Sequence, residues 1–494
     1  MQRISINLLI ILVAFFIAKK AVALPIDWHG AYGVDSTLID SYRKIESTSD
    51  SSANGGNNGG SQEPALASGE HANASFQSYL FKLSPTMIVN DAASFKAEFS
   101  TGYGRGGMLG DDSTERKNNS NNSFGNALYH HNTSTGTNSL VVNQLYMELY
   151  SDTATYLIGR HANNWGLGVV INDGEDLWDR MASIRDGITM KIKLGNFNID
   201  IFTAKISSQN SLTRATNVKQ FGFSLLYDNP ERDLTFGIHH SKKKNNKFNA
   251  SVKHNINNTG NVALGETDTK LTDLFLKKRF GDFQFAIEAP IMSGEIGTLY
   301  SSAFGKTNYK AKAIILESVY NVNNSWNIGF NAGKVSGHSG VQSSYSAMYL
   351  HPNYQIAELM FRYNMQAISD TSQNVYDSYI TNALYWKLFF EYSSGKWVWN
   401  AAIIGATAEE TAVATKKAYN HLTNKIFTAN TTQDDNLGIE LDLGFNYKWN
   451  NEVTINSSLG YHKVGDYYSF SNEAGVSNVS KNSYAAKIGA AISF

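Results

Sequence analysis

The chain closes on Ser483-Tyr484-Ala485-Ala486-Lys487-Ile488-Gly489-Ala490-Ala491-Ile492-Ser493-Phe494, and the reading of this stretch decides the fold. Tyr484, Ala486, Ile488, Ala490, Ile492 and Phe494 share one face of an extended chain. Ser483, Ala485, Lys487, Gly489, Ala491 and Ser493 share the other. A period of two over so long a run describes a β-strand with one apolar face and one small or polar face.

The pattern recurs upstream. Ile439, Leu441, Leu443, Phe445 and Tyr447 alternate with Gly438, Glu440, Asp442, Gly444 and Asn446; Ile188, Met190, Ile192 and Leu194 with Thr189, Lys191 and Lys193; Leu384, Trp386, Leu388 and Phe390 with Tyr385 and Lys387. A soluble sandwich would turn the apolar faces into its core; a membrane barrel would turn them to lipid and enclose the polar ones. Strand length, aromatics at strand ends (Tyr150, Tyr227, Trp397, Trp399, Tyr447, Trp449) and connections that alternate between short and long all favour the barrel. Short turns are expected at Ser151-Asp152-Thr153, Gly195-Asn196, Asn229-Pro230-Glu231, Gly281-Asp282, His351-Pro352-Asn353, Ser394-Gly395 and Asn450-Asn451. Ten long loops, among them 162–185, 337–342 and 367–377, lead to an all-β fold: a transmembrane antiparallel β-barrel of about 20 strands, with short periplasmic turns and long extracellular loops. Eighteen is the alternative, because the segment around 343–366 is weakly patterned. Closure satisfies every backbone polar group within lipid, where a free sheet edge could not persist.

The N-terminus reads as an export signal over residues 1–23. Arg3 precedes the apolar run Leu8 to Ala18, and Ala21-Val22-Ala23 offers a cleavage site before Leu24. The apolar run is too short to span a bilayer as a helix. Residues 24–494 then form the barrel. The composition agrees: 494 residues with 40 Gly, 6 Pro, no Cys and 17% charged side chains. The absence of Cys excludes disulfides, thiolate zinc sites and iron–sulfur clusters. The balance of 42 basic and 43 acidic residues argues against a nucleic-acid partner.

Three motifs carry a resemblance. Ile26-Asp27-Trp28-His29-Gly30-Ala31-Tyr32 is similar to the first strand of sugar-type porins, without their arginine after Tyr32. The terminal Phe494, with Tyr484, Ile488 and Ile492 on its face, resembles the signal read by the barrel assembly machinery. Gly159-Arg160, Trp165-Gly166-Leu167-Gly168 and Asn172-Asp173-Gly174 resemble a stretch shared by large outer-membrane barrels. The chain as a whole resembles the porin-type barrels of Gram-negative outer membranes, and most nearly the major outer-membrane proteins of Bdellovibrio-type predatory bacteria. That resemblance implies a multi-pass barrel in the cell outer membrane, in contact with lipid and lipopolysaccharide, and open to homo-oligomer formation.

The polar faces point to a lumen carrying Lys96, Glu98, Glu148, Lys191, Lys193, Asp200, Lys387, Glu440, Asp442 and Lys487, five cations and five anions. Many would pair across neighbouring strands. In the loop 162–185, apolar residues at Leu177, Trp178, Met181 and Ile184 have helical spacing, which predicts a short helix folded into the barrel. The constriction candidates are Arg160, Asp173, Glu175, Asp176, Asp179, Arg180 and Arg185, with Lys191 and Lys193 on the wall. Acids facing cations across a gap would orient dipolar solutes. No metal site is expected, since Asn172 to Asp176 lacks the twelve-residue calcium spacing, and the adjacent histidines His130-His131 and His239-His240 would point to opposite strand faces. Without G-x-S-x-G or a cofactor motif, no enzyme and no cofactor is expected. The expected function is a passive aqueous channel for small hydrophilic solutes and ions. The alternative is a surface or adhesion barrel with a plugged lumen and binding by its loops.

Overall fold

A computed structural model describes residues 25–43, 71–101, 104–109, 140–207, 218–245, 253–254, 262–263, 266–300, 305–365, 374–421, 425–472, 474–475 and 477–494. The expected export signal and the Gly-rich or polar stretches 47–61 and 117–123 lie outside the described residues, as does the pair His130-His131.

Eighteen strands run antiparallel, each beside its neighbour in sequence: β1 (Ile26–Arg43), β2 (His71–Asn90), β3 (Ala93–Thr101), β4 (Leu140–Tyr150), β5 (Ala154–Ala162), β6 (Ile184–Leu194), β7 (Phe197–Ser207), β8 (Val218–Asn229), β9 (Leu234–Asn245), β10 (Thr267–Phe280), β11 (Phe283–Glu295), β12 (Asn308–Asn321), β13 (Trp326–Val335), β14 (Ala383–Ser394), β15 (Trp397–Ala408), β16 (Asn436–Lys448), β17 (Val453–Val464) and β18 (Ser483–Ser493). β18 returns to β1 in the register Ala31↔Ser493 to Asp40↔Tyr484, which closes the barrel. At the seam Gly30 and Phe494 exchange both backbone hydrogen bonds, at 2.8 and 3.0 Å. A Cβ on Gly30 would come within 2.8 Å of the Phe494 ring and 2.7 Å of the Lys82 carbonyl, so the glycine of the first-strand motif makes room for the terminal aromatic.

The alternation has the sense expected. Tyr484, Ile488 and Ile492 are 51%, 57% and 41% exposed on the outer wall, whereas Ala485, Lys487 and Ala491 are buried inside. Outward aromatics gather at the short-turn end: Trp397 stacks on Trp399 with centroids 5.4 Å apart, packs on Tyr447 at 4.4 Å, and Trp326 meets Tyr392 at 4.6 Å. Amphipathic rings suit a membrane–water interface.

Two expectations are corrected. The segment around 343–366 is not a strand pair, and His351-Pro352-Asn353 is not a periplasmic turn. The connection from β13 to β14 folds inward, with only Ser344–Tyr345 pairing, in parallel, with Asn308–Tyr309. Its apolar residues Met348, Leu350, Ile356, Ala357 and Met360 do not alternate, because they pack all round against the inner faces of β12 to β16 rather than straddling a wall. Eighteen strands, the lower of the two expected numbers, follow. The loop between β5 and β6 also folds inward, but as irregular chain, with no α-helix between Asn163 and Ser183. Its carbonyls are taken by side chains of the wall, so helical spacing at Leu177, Trp178, Met181 and Ile184 is not needed to satisfy them.

Candidate functional site

The lumen is crossed by the β5–β6 loop (163–183) and filled in part by the described residues 336–365 and 374–382 of the β13–β14 loop. The first loop is anchored on opposite walls. Near β10 and β11, Trp165 is buried against Phe275 and His239, and the Leu167 amide donates to the Glu288 carboxylate. Gly166 has φ +60°, and a Cβ there would lie 2.2 Å from Glu288, so Trp165-Gly166-Leu167-Gly168 is the motif that docks this end. Asp273, on the neighbouring strand, lies close to Glu288, and both carboxyl groups are fully buried.

At the far wall Arg180 donates to the Tyr79 carbonyl (2.9 Å) and Ser78 Oγ (2.7 Å), pairs with Asp35 (3.4 Å) and lies over the Tyr376 ring at 4.0 Å. Lys487 on β18 reaches the same Asp35 at 3.5 Å and lies 5.3 Å from the Trp178 ring. Arg105 is held by Glu98 (2.7 and 3.1 Å) and donates to the Gly174 carbonyl at 2.6 Å. Lys82 donates to the carbonyl of Asp176 at 2.7 Å. These cations are spent on carbonyls and carboxylates; charge-assisted hydrogen bonds of this kind hold a loop that has no regular structure of its own.

The two loops meet. Asn353 accepts from the Met181 amide (3.2 Å) and donates to the Met181 carbonyl (2.8 Å) and Asn172 Oδ1 (3.0 Å); the His351 amide donates to the Val169 carbonyl at 2.7 Å. The larger loop is fixed by acids of the wall. Glu440 accepts from the Leu359 and Met360 amides at 2.6 and 2.8 Å, Asp442 from Glu358 at 3.2 Å, and Glu317 from the Tyr354 hydroxyl at 2.9 Å.

The expected site residues therefore divide. Glu175 and Asp176 are exposed within the lumen, and Asp173 and Asp179 are half-buried on the same loop. Burial, and then the neighbouring Asp176 charge, push the Asp179 carboxyl up to about 6, against the opposing pull of Lys82 and Arg105. Lys191 and Lys193 are exposed on the inner face of β6. Arg180 is an anchor, and Arg185 is buried over the Phe202 ring at 3.5 Å. Arg160 is not brought to the loop: it faces outward on β5, in a bidentate pair with Asp186 directly across on β6 at 2.7 and 2.8 Å. Of the expected lumenal charges, Lys96 pairs with Glu148 at 2.5 Å. Sequence reasoning missed Asp35, Lys82, Arg105 and Glu288. Lys82 and Asp35 sit at inward positions of alternating strands and were legible by period; Arg105 lies in a connection and was not.

Cavities lie among the described residues on the long-loop side. One, of about 340 Å³, is lined by Arg185, Gln220, Ser241, Lys243 and Tyr349. Another, of about 210 Å³, lies among Tyr42, Tyr363, His421, His462 and Tyr467. Among the described residues, no cluster of three His, Cys, Asp or Glu could hold a metal.

No family model matches the sequence, and no curated relative matches it. Solved structures do. OccK9 of Pseudomonas aeruginosa is 10% identical with a TM-score of 0.47, covering 95% of this chain and 99% of that one. OccK8 of the same organism is 11% identical with a TM-score of 0.47, covering 95% and 98%. OmpT, an outer-membrane protein of Vibrio cholerae, is 9% identical with a TM-score of 0.35, covering 96% and 99%.

Proposed function

We propose that the protein is an outer-membrane porin, a passive and narrow channel for small hydrophilic solutes and ions. The observation that carries this reading is the placement of the β5–β6 loop: it crosses the lumen and presents exposed Glu175 and Asp176 in a bore whose wall carries exposed Lys191 and Lys193. A transverse arrangement of opposite charges orients dipolar solutes and rejects apolar ones. An eighteen-strand barrel is wide enough for an aqueous bore, which two inward loops then narrow. Asp173 and Asp179 contribute negative charge to the same edge, and Arg180 and Arg105 hold the edge in place. The long-loop side faces the cell exterior, in keeping with short periplasmic turns.

Purified protein in planar bilayers tests this: stepwise channels are expected, with a radius reported by graded neutral polymers. A second reading draws on the packing of Met348, Leu350, Ile356 and Ile380 across part of the bore, which suits a plugged surface barrel. Folded protein that conducts nothing in repeated insertions would favour that reading and end the first.

A further inference from the structure

The outer wall carries a one-sided belt of lysines that the channel does not use. On β7 to β10 and on β12, outward files that are largely apolar toward the short-turn end reach lysine near the long loops, whereas β11 between them ends in Ser293 and Glu295. On β8 it reads Tyr227, Leu225, Phe223, Phe221 and then Lys219; on β12 it reads Tyr320, Ser318, Leu316, Ile314 and then Lys312 and Lys310. Lys205 and Lys219 stand directly opposite each other on β7 and β8. Lys270 on β10 and Lys310 on β12 both stand opposite Ser293 of β11, which is exposed between them.

The belt also holds carboxylates, at its loop-ward edge. Asp268 is taken by Lys242 at 2.8 Å and Lys244 at 3.9 Å, and Lys306 lies between Glu266 at 3.1 Å and Glu295 at 3.4 Å. Among the described residues, no carboxylate pairs with Lys205, Lys219, Lys270 or Lys310. Like charges directly opposite on a sheet destabilise it unless an anion lies between them. The opposite arc is sparser: at the same end β14, β16 and β18 present Leu384, Ile439 and Tyr484, and the lysines among them are Lys334 of β13, paired with Glu409 at 3.4 Å, and Lys463 of β17.

We infer that this arc binds the phosphorylated headgroups of membrane lipids, with Lys270, Ser293 and Lys310 forming one phosphate seat and Lys205 with Lys219 a second. Charge complementarity selects the anion, and continuity with the apolar files beneath selects a lipid, whose acyl chains lie along those files while its phosphate meets the ammonium groups. The inference rests on the membrane-embedded reading of the barrel but not on conduction.

The probe is a diphosphorylated glycolipid added to the full-length protein in zwitterionic detergent micelles, with retained lipid counted by native mass spectrometry. Retention is expected to exceed that of the same lipid after enzymatic dephosphorylation by roughly tenfold or more. It should fall to the dephosphorylated level in the variant Lys205→Gln/Lys219→Gln/Lys270→Gln/Lys310→Gln, return with Arg at the four positions, and stay unchanged in Lys463→Gln on the opposite arc. Equal retention of both lipids, or no effect of the four substitutions, overturns the inference. Displacement by equimolar inorganic phosphate also overturns it, since the belt would then take free anions. Heat-modifiable gel migration checks that each variant is folded. Conductance in neutral bilayers is read separately: a protein that retains the lipid and conducts nothing sinks the channel and leaves this inference standing.

Discussion

Arg180 is the single side chain on which the lumenal loop depends most. It is buried, and it joins the Tyr79 carbonyl, Ser78, Asp35 and the Tyr376 ring. Breaking a buried pair by removing one partner costs about 3 kcal/mol, lessened here because Lys487 still faces Asp35. Arg180→Ala is expected to release the loop, raising single-channel conductance and open-channel noise while far-ultraviolet circular dichroism keeps the strand signature. Asp179 supplies a pH dependence. An unperturbed aspartate titrates near ~4, and burial together with Asp176 moves this one up to about 6. A raised pKa means that its contribution to seating the loop is fully present below about 4 and is lost as pH climbs through about 6. Across the same interval the constriction gains one negative charge. His351 on the adjoining loop, pushed down to about 4 by burial and by Arg105, stays neutral there. Reversal potentials in a salt gradient should therefore shift toward cations between pH 5 and pH 7, and Asp179→Asn should flatten that shift. A wild-type potential that does not move over this range removes Asp179 from the conduction path.

The elements that matter are the two inward connections, and they do different work. The β5–β6 loop is a strap, docked by Trp165 and Glu288 at one end and Arg180 at the other. The β13–β14 loop is a filling, whose apolar side chains form a core with Ala311, Ala313, Ile315, Ile404 and Ala406 of the wall. Since neither loop supplies a strand to the wall, shortening the β13–β14 loop by deleting 344–379 is expected to leave an assembled barrel with a severalfold larger conductance. The acids it exposes, Glu317, Glu440 and Asp442, then face water in the bore and keep their charge without a burial cost. Had 343–366 been two wall strands, the deletion would break closure and leave no heat-modifiable band on a gel. The measurement separates a filling from a wall at one step.

At the scale of the molecule, each of β1 to β18 pairs with its sequence neighbour and the last with the first, so orientation is decided once for all nine hairpins. The absence of native cysteine makes this directly testable. A membrane-impermeant maleimide applied to intact cells is expected to label Lys416→Cys, on an exposed long connection, and to leave Asp282→Cys, on an exposed short turn, unmodified until the outer membrane is opened. The reverse pattern would invert the barrel. Closure also explains why residues 410 or more apart come together. The Lys481 amide donates to His71 at 3.2 Å, and Ser483 Oγ donates to the Asp40 carbonyl at 2.8 Å.

What the amino-acid order determined by itself was the wall. A period of two, read at Tyr484 to Phe494 and again at Ile439 to Tyr447, says which side chains share the outer face and which face inward, because successive Cβ atoms point to opposite sides whatever the register. Turn residues at Gly195-Asn196, Gly281-Asp282 and Ser394-Gly395 marked the short connections for an equally local reason. The interior was decided only by the tertiary structure. Arg160 and Arg180 are both arginines near the same loop, yet one pairs with Asp186 on the outer wall and the other anchors the loop inside at the far wall, since a loop's path carries no period to read. The filling at 343–366 was equally hidden, because a segment that is packed on all sides shows no alternation. Its burial comes from β12 to β16 and, at Leu359 and Tyr363, from β1, β2 and β18, which only closure places around it.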